Sequence, residues 1–170
     1  VNCNSSKEVV FTSGTTNSLN LVIFGYMRKY LNKGDEVLPT KAEHASNVVP
    51  SYQLADEIGI VIKYIPLNED YELTIENIEK SITTNTKVIS IAHVTNVIGD
   101  VRDVKTIGQI CKNNNILFCV DGAQSVPHMK VDFKECNMDF LSFSAHKMCG
   151  PTGVGVLVSK EKLLDEMDPI

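Results

Sequence analysis

The sequence predicts an α/β domain with a seven-stranded, mostly parallel β-sheet. Seven strand-like apolar runs alternate with segments whose apolar residues recur at helical spacing, a pattern typical of strand–helix–strand units. The runs are EVVF (8–11), DEVLP (35–39), GIVIKYI (59–65), TKVISIA (86–92), NILFCV (115–120), MDFLSFS (138–144) and GVGVLVS (153–159). The short connection before the last run leaves no room for a crossover helix, so we expect the last two strands to be antiparallel.

The first two helices are predicted from apolar spacing and from their flanking residues. Residues 15–31 carry an apolar stripe with helical periodicity, and Gly34 ends the pattern. A second helix is predicted over residues 46–59. We expect Pro50 to lie in its first turn, where a missing N–H costs nothing, and Gly59 to cap its carboxyl end.

Two further helices follow the third and fourth strands, and a last one ends the chain. Thr74 suits the N-cap of a helix over residues 74–82, and Glu76 in the first turn suits the positive helix end. Residues 104–115 read as a helix that ends in a cluster of asparagines. The segment KEKLLDEMDPI has a helical pattern as well.

Composition excludes several classes of function. The net charge is −5 without a basic stripe, which disfavours a nucleic-acid or anionic-membrane partner. No apolar run approaches the roughly 20 residues that span a bilayer, and VNCNSSKEVV lacks the features of a signal peptide. The five cysteines are scattered without a CxxC pair, so we expect reduced thiols in a cytoplasmic protein.

Polar motifs follow five of the predicted strands: TSGTT, EHASN, HVTN, DGAQ and SAHK. In open α/β sheets, ligands bind beyond the carboxyl ends of the strands. The sequence therefore predicts a ligand site where these motifs converge.

Several residues in these motifs allow both a functional and a structural interpretation. Asp121 emerges from an apolar strand, where a carboxylate needs a cation or donors, yet an Asp before Gly is also an ordinary turn residue. Lys147 is either a desolvated amine nucleophile or a surface lysine. Thr15 and Thr16 offer either an anion site at a helix N-terminus or an ordinary helix cap.

Cysteine or metal chemistry has weaker support in the sequence. Cys149 could act as a thiolate, but nothing orients His146 toward it, and a turn residue before Gly150 is the simpler interpretation. The four histidines and five cysteines show no paired ligand spacing such as HxxxH or CxxC. We therefore predict no metal site.

Together these motifs resemble the class V branch of fold-type I pyridoxal-phosphate (PLP) enzymes, and most of all the SufS-like (group II) cysteine desulfurases and selenocysteine lyases. The matching segments are SGTTNSLNLV, EHASNVVP, HVTNVIGD, VDGAQSVPHMKVD and SFSAHKMCGPTGVGVL. They cover most of the chain in the family's order. The separations between Thr16, His44, Asp121 and Lys147 match the family without gaps.

The resemblance implies a set of roles around pyridoxal 5′-phosphate. Lys147 would form the Schiff base and move the substrate Cα proton, and Asp121 would pair with the pyridine nitrogen. His44 would lie against the ring face. The remaining cofactor contacts would be Gln124 and Asn96 at the ring hydroxyl, and Thr15, Thr16, Ser144 and His146 at the phosphate.

The chain departs from the family pattern at three positions. Many SufS-like relatives have a second histidine where this chain has Ala45, glycine is commoner at Ala145, and Ser13 often corresponds to arginine. The first histidine is the stacking residue, so we expect little effect from Ala45. The change at Ser13 bears on the details of the phosphate loop.

The resemblance also implies a domain organisation. Residues 1–170 would form the PLP-binding large domain of a three-layer α/β/α transferase fold, with an N-terminal segment and a small C-terminal domain outside it. The persulfide cysteine and the arginine that binds the substrate carboxylate would lie outside this segment. We therefore expect the segment alone to be inactive, and the full-length protein to be a homodimer whose partner completes the phosphate site.

The implied activity is removal of sulfur or selenium from L-cysteine or selenocysteine, giving alanine and a protein persulfide, with a sulfur-acceptor protein as a possible partner. Two alternatives remain open at this point. One is another class V enzyme acting on an amino acid, such as an aminotransferase or an epimerase, because the cofactor residues are shared. The other is a PLP-binding fragment without turnover.

Overall fold

A seven-stranded mixed sheet forms the centre of the molecule. The computed structural model describes residues 1–170. Its strands are β1 Val9–Thr12, β2 Glu36–Leu38, β3 Val61–Ile62, β4 Thr86–Ala92, β5 Leu117–Asp121, β6 Phe140–Ser144 and β7 Gly155–Ser159. Their order is β1-β7-β6-β5-β4-β2-β3. β7 runs antiparallel to β1 and β6, whereas all other pairs are parallel, which confirms the predicted fold class and the antiparallel last pair.

Helices cover both faces of this sheet. They are α1 Thr15–Asn20, a π-helical segment Leu21–Met27, α2 Arg28–Tyr30, α3 Ala45–Ile58, α4 Ile75–Ser81, α5 Val104–Asn113 and α6 Glu161–Asp165, with 3-10 turns at Ser6–Glu8 and Ala145–Lys147. None of these helices has the length and apolar character needed to cross a membrane.

The first predicted helix forms over nearly its whole length, but its middle is π-helical. The apolar spacing of residues 15–31 did not predict the Leu21–Met27 segment. Gly25 lies in this segment and packs against the end of the chain, where the Asp168 N–H donates to its carbonyl at 2.9 Å. A Cβ at Gly25 would lie 2.7 Å from the Asp168 carbonyl oxygen, so glycine permits this contact.

The placement of Pro50 in a first helical turn was wrong. α3 begins at Ala45 because the His44 side chain caps it, accepting a hydrogen bond from the Ser46 N–H. Pro50 therefore falls in the second turn, where it has no N–H to donate to the carbonyl four residues earlier. The predicted carboxyl end is confirmed, since Gly59 adopts a φ of 81° and donates its N–H to Ala55.

Side-chain caps also begin the next two helices, and the sequence predicted the first of these caps, Thr74. Thr74 accepts a hydrogen bond from the Asn77 N–H at 3.2 Å and so begins α4. Asp103 accepts from the Thr106 N–H at 3.1 Å and begins α5. Both caps satisfy backbone donors that the first helical turn leaves without partners.

Strand β3 is much shorter than its apolar run. The run covers residues 59–65, whereas only Val61–Ile62 pairs as a strand and Ile65 makes an isolated bridge to Thr40. Gly59 is the left-handed cap of α3 and cannot belong to the strand. β3 also lies at the sheet edge, with a neighbour on one side only.

Two buried apolar clusters occupy opposite faces of the sheet. Val88 belongs to one cluster and Ile89 to the other, because successive strand residues face opposite sides. The larger cluster lies under α4 and α5, and the smaller one lies under α3 and the π-helical segment. This arrangement gives the three-layer α/β/α architecture.

Gly108 in α5 provides a test of this packing. Helix propensity alone predicts that Gly108→Ala stabilises the protein by about 1 kcal/mol. A Cβ at this position, however, would lie 1.8 Å from the Cys136 carbonyl oxygen. We expect the substitution to lower the free energy of unfolding by about 1–3 kcal/mol in urea titrations, because the backbone must shift.

Gln109→Ala on the same helix is the matched control. Gln109 is exposed, so its substitution should stay within about 0.5 kcal/mol of the wild type. A stabilising Gly108→Ala would contradict the close contact between α5 and the Cys136 backbone.

Candidate functional site

A cavity of about 440 Å³ opens at the carboxyl edge of the sheet. All nine predicted cofactor-binding residues line it: Thr15, Thr16, His44, Asn96, Asp121, Gln124, Ser144, His146 and Lys147. The structure thus brings together residues that are far apart in the sequence, while their roles remain predictions.

The strand directions explain this convergence. β2, β4, β5 and β6 are parallel, and β1 runs in the same sense because β7 is antiparallel to both β1 and β6. The carboxyl ends of these five strands therefore meet at one edge, and each is followed by one of the polar motifs. The amino end of β7 reaches the same edge.

Asp121 is the last residue of β5, the central strand, and its side chain is only 5% exposed. Its Oδ1 accepts one hydrogen bond, from the Ala123 N–H at 2.9 Å. Burial raises the pKa of this carboxyl above its usual range, and the charge of Glu43 acts in the same direction. The Ala123 hydrogen bond, Lys147 and His44 oppose this increase in the pKa.

Lys147 reaches the cavity from a tight turn after β6. It is half-buried at the end of the 3-10 turn Ala145–Lys147. The chain then turns sharply, with the Gly150 N–H donating to the Ala145 carbonyl at 2.9 Å. A Cβ at Gly150 would lie 2.8 Å from that of Ala145, so glycine allows the turn that presents the lysine.

Cys149 belongs to the same turn but does not line the cavity. It is exposed and adopts a positive φ of 62°, a conformation that non-glycine residues rarely adopt outside turns. This geometry agrees with the interpretation of Cys149 as a turn residue.

His44 combines a structural contact with access to the cavity. Its Nδ1 lies 2.7 Å from the Ser46 hydroxyl and 3.2 Å from the Ser46 backbone nitrogen, from which it accepts the cap hydrogen bond. An Nδ1 that accepts the N–H places the proton of a neutral ring on Nε2. His44 is exposed and lines the cavity, so its ring is accessible to a planar ligand.

Two buried hydroxyls at the cavity have no hydrogen-bond partner within the protein. They are Thr15 Oγ1 and Ser144 Oγ, and their residues are 9% and 1% exposed. A buried polar atom without a partner is costly. Both hydroxyls are therefore suited to a ligand with hydrogen-bond acceptors.

The glycine turn before α1 is held close to β7. A Cβ at Gly155 would lie 2.4 Å from the Gly14 Cα, so only glycine at position 155 lets the two backbones approach. This contact sets the position of the turn that carries Thr15 and Thr16. On the other side of the cavity, the Gln124 amide donates a hydrogen bond to the Asn96 side-chain oxygen.

Two charged residues near the cavity were missed by the sequence analysis. Glu43 and Arg102 form an ion pair at 2.5 Å whose side chains are wholly buried. Glu43 is the first residue of the EHASN motif. Its place in this motif is the only feature of the sequence that could have indicated that Glu43 lies near the cavity. Nothing near Arg102 in the sequence indicates that it is buried.

The remaining histidines do not contribute to the cavity. His93 and His128 do not line it, and burial lowers the pKa of His93 below its usual range. No group of three or more His, Cys, Asp and Glu side chains is placed to hold a metal ion.

The donor set fits one kind of ligand well. The buried carboxylate of Asp121 calls for a positive partner, the Lys147 amine can bind a carbonyl carbon, and the unpartnered hydroxyls of Thr15 and Ser144 suit an anionic group. These features are compatible with pyridoxal phosphate, which has a protonatable ring nitrogen, an aldehyde and a phosphate.

Comparisons with known proteins agree with this site. A sequence profile described as aminotransferase class-V matches residues 1–170. The chain therefore belongs to the class-V aminotransferase family.

Individual relatives are similar along the whole of this chain. It is 45% identical over 170 residues to a probable cysteine desulfurase of Halalkalibacterium halodurans and 48% identical to one of Staphylococcus aureus. It covers 42% and 41% of these proteins. The crystal structure of the cysteine desulfurase CsdA from Escherichia coli superposes with a TM-score of 0.94 at 34% identity, over 98% of this chain and 42% of CsdA. The chain thus spans less than half the length of these relatives.

The cost of burying Asp121 yields a pH-dependent prediction. A raised pKa means that the native state binds more protons than the unfolded state, so stability falls as the pH rises from the usual Asp pKa toward the raised one. Asp121→Asn removes this penalty and keeps an acceptor for the Ala123 N–H. We expect the cofactor-free variant to be more stable than the wild type near neutral pH, and the difference to vanish below the usual pKa of about 3.9.

Urea denaturation at several pH values measures this difference. Asp132→Asn is the control. The pKa of Asp132 lies below its usual range, mainly because the carboxylate accepts a hydrogen bond from the Glu135 N–H. Its substitution should therefore act in the opposite direction near neutral pH. A loss of stability in Asp121→Asn near neutral pH would contradict the interpretation of Asp121 as an uncompensated buried carboxylate.

Proposed function

We propose that this chain is the cofactor-binding part of a PLP-dependent cysteine desulfurase. The observation that carries the proposal is that Lys147 and the buried Asp121 line the same cavity, together with two residues whose buried hydroxyls have no hydrogen-bond partner. Membership of the class-V aminotransferase family supports PLP as the cofactor. Identities of 45% and 48% to probable cysteine desulfurases support the specific reaction.

Each side chain contributes a definite step in this proposal. Asp121 would hold a positive charge at the pyridine nitrogen of PLP, which supplies an electron sink when it is bound. The Lys147 amine would hold the aldehyde of the cofactor and would move the substrate Cα proton. His44 offers a ring face, and Gln124 with Asn96 orients the ring hydroxyl.

The phosphate contacts fix the cofactor in the cavity. Thr15 and Ser144 supply their buried hydroxyls, and Thr16 and His146 lie at the more exposed side. The helix that begins at Thr15 adds backbone N–H groups directed toward an anion.

The overall reaction balances with a protein thiol as the sulfur acceptor. L-cysteine and a thiol give alanine and a persulfide, as the carbon–sulfur bond breaks and a sulfur–sulfur bond forms. Three of the five cysteines, Cys111, Cys119 and Cys136, are buried, and burial raises the pKa of Cys111 to about 12. Such thiols are poor nucleophiles, which disfavours these three cysteines as the sulfur acceptor.

The remaining parts of the proposal concern the whole protein. We place residues 1–170 in a PLP-binding large domain and expect turnover to require further segments, including the acceptor thiol and a carboxylate-binding arginine. We also propose a cytoplasmic homodimer whose partner completes the phosphate site. A separate sulfur-acceptor protein would receive the persulfide sulfur.

Cofactor attachment is tested by two neighbouring substitutions in the full-length protein. Lys147→Ala should abolish the borohydride-trapped covalent PLP adduct, whereas Cys149→Ala should leave it unchanged because Cys149 does not line the cavity. Peptide mass spectrometry locates the adduct. If the wild type forms no adduct with added PLP, the proposed function is wrong, and a loss of the adduct in Cys149→Ala would refute the assignment of that cysteine as a turn residue.

The reaction itself is tested with L-cysteine as substrate. We expect alanine and sulfide in equal amounts when a reductant is present, and a decrease in kcat of at least about 10²-fold in Lys147→Ala, because general acid–base catalysis is lost. Chromatography of the amino acids measures both effects. Formation of a keto acid would indicate an aminotransferase, and racemised cysteine an epimerase, and either result would replace the proposed reaction.

A further inference from the structure

A buried ion pair contacts Ala92, one of the residues that line the cavity. Glu43 Oε1 and Arg102 Nη1 are 2.5 Å apart, and neither side chain is exposed. The Thr40 hydroxyl donates to Glu43 at 2.6 Å and accepts from Arg102 Nη2 at 2.9 Å. Arg102 Nε also contacts Asp100 at 3.4 Å. The pair is therefore almost fully hydrogen-bonded, as a buried ion pair must be to persist.

The pair takes the place of a missing strand neighbour at the end of β4. The last β4 residue that pairs with β2 is Ile89, so Ala92 has no strand partner on that side. The Ala92 N–H instead donates to Glu43 at 2.6 Å, and the Ala92 carbonyl accepts from Arg102 at 3.2 Å. The two side chains thus satisfy both backbone groups of the peptide at the open edge.

Two site residues are attached to this peptide and this pair. Ala92 is the register partner of Asp121, whose carbonyl accepts from the next N–H of the chain, that of His93, at 3.0 Å. Glu43 immediately precedes His44, the cap of α3. The pair therefore connects the backbone of Asp121 with the segment that presents His44.

The pair also lies close enough to act through charge. Glu43 is one of the charged groups that influence Asp121, together with Lys147 and His44. Without Arg102, the full negative charge of a buried Glu43 would oppose ionisation of Asp121, because buried charges are weakly screened. Arg102 offsets part of that charge, while the Glu43 carboxylate still accepts its hydrogen bond from the Ala92 N–H.

We propose that Glu43 and Arg102 are positioning residues of the site: together they hold the ends of β4 and β5 and the His44 segment in register, and Arg102 reduces the extent to which the Glu43 charge opposes ionisation of Asp121. Because Asp121 is assigned to the pyridine nitrogen, this inference rests on the proposed function. It adds two residues that contact neither cofactor nor substrate.

The test uses the full-length protein with three variants of the pair: Arg102→Met, Glu43→Gln and the double variant. The first readout is the pH titration of the Asp121 carboxyl carbon by ¹³C NMR in the cofactor-free protein, assigned with Asp121→Asn. The second readout is the dissociation constant for PLP. Thermal unfolding verifies that each variant is folded.

We expect opposite effects on the Asp121 titration. Arg102→Met should move it to higher pH, because Glu43 remains uncompensated, and Glu43→Gln should move it to lower pH, because Arg102 remains. The double variant should return close to the wild type. For PLP, we expect the dissociation constant to rise about tenfold in Arg102→Met, equivalent to roughly 1.4 kcal/mol, and to recover to within about threefold in the double variant.

Lys160→Met is the matched control. Lys160 and Asp139 also form an ion pair at 2.5 Å, but Asp139 lies before the amino end of β6, at the opposite edge of the sheet. Loss of the Lys160–Asp139 ion pair should leave the Asp121 titration and PLP binding unchanged.

A purely structural role predicts a different outcome. In that case the two single variants would shift the Asp121 titration in the same direction or not at all, and the double variant would bind PLP no better than Arg102→Met. Either result would overturn the proposal. If Arg102→Met does not fold, two results still test the proposal. The Asp121 titration in Glu43→Gln should move to lower pH than in the wild type, and the double variant should match the wild type in its titration and PLP binding. Failure of the wild type to bind PLP would refute the proposed function, while the NMR shifts would still test the pair.

Discussion

The burial of one carboxylate at the end of the central strand determines how the rest of the site is arranged. Asp121 ends β5 with strands on both sides, and it is only 5% exposed although it lines the cavity. The protein supplies it with a single hydrogen bond, from Ala123. A carboxylate held in this way is costly in the empty site and becomes favourable when a cation is bound. The fold thus stores a preference for a positively charged ligand atom.

The surrounding elements meet this constraint through close backbone packing. Gly155 lets the Gly14 turn lie against β7, and Gly150 lets the chain reverse directly after Lys147. The amine, the carboxylate and the helix N-terminus therefore converge on one cavity from three separate segments. At this edge the buried pair of Glu43 and Arg102 completes the hydrogen bonding of Ala92.

Much of the architecture followed from local patterns. The β4 run, residues 86–92, coincides with the observed strand, and the caps at Thr74 and Gly59 lie where their residue types indicate. The errors have local causes that the sequence does not reveal. Pro50 was placed in the first turn of α3 because a histidine is an unusual cap, and the π-helical segment Leu21–Met27 has the same apolar residues as an α-helix.

The sequence by itself determined the alternation of strands and helices, because this depends on periodicity, and its polar motifs, through their resemblance to class V enzymes, identified nine of the residues that line the cavity. Only the tertiary structure decided that Thr15 and Ser144 carry buried hydroxyls without partners and that Asp121 is nearly inaccessible. It alone also paired Glu43 with Arg102. These are contacts between segments far apart in the chain, and burial and charge compensation depend on which segments fold together rather than on any residue's immediate neighbours.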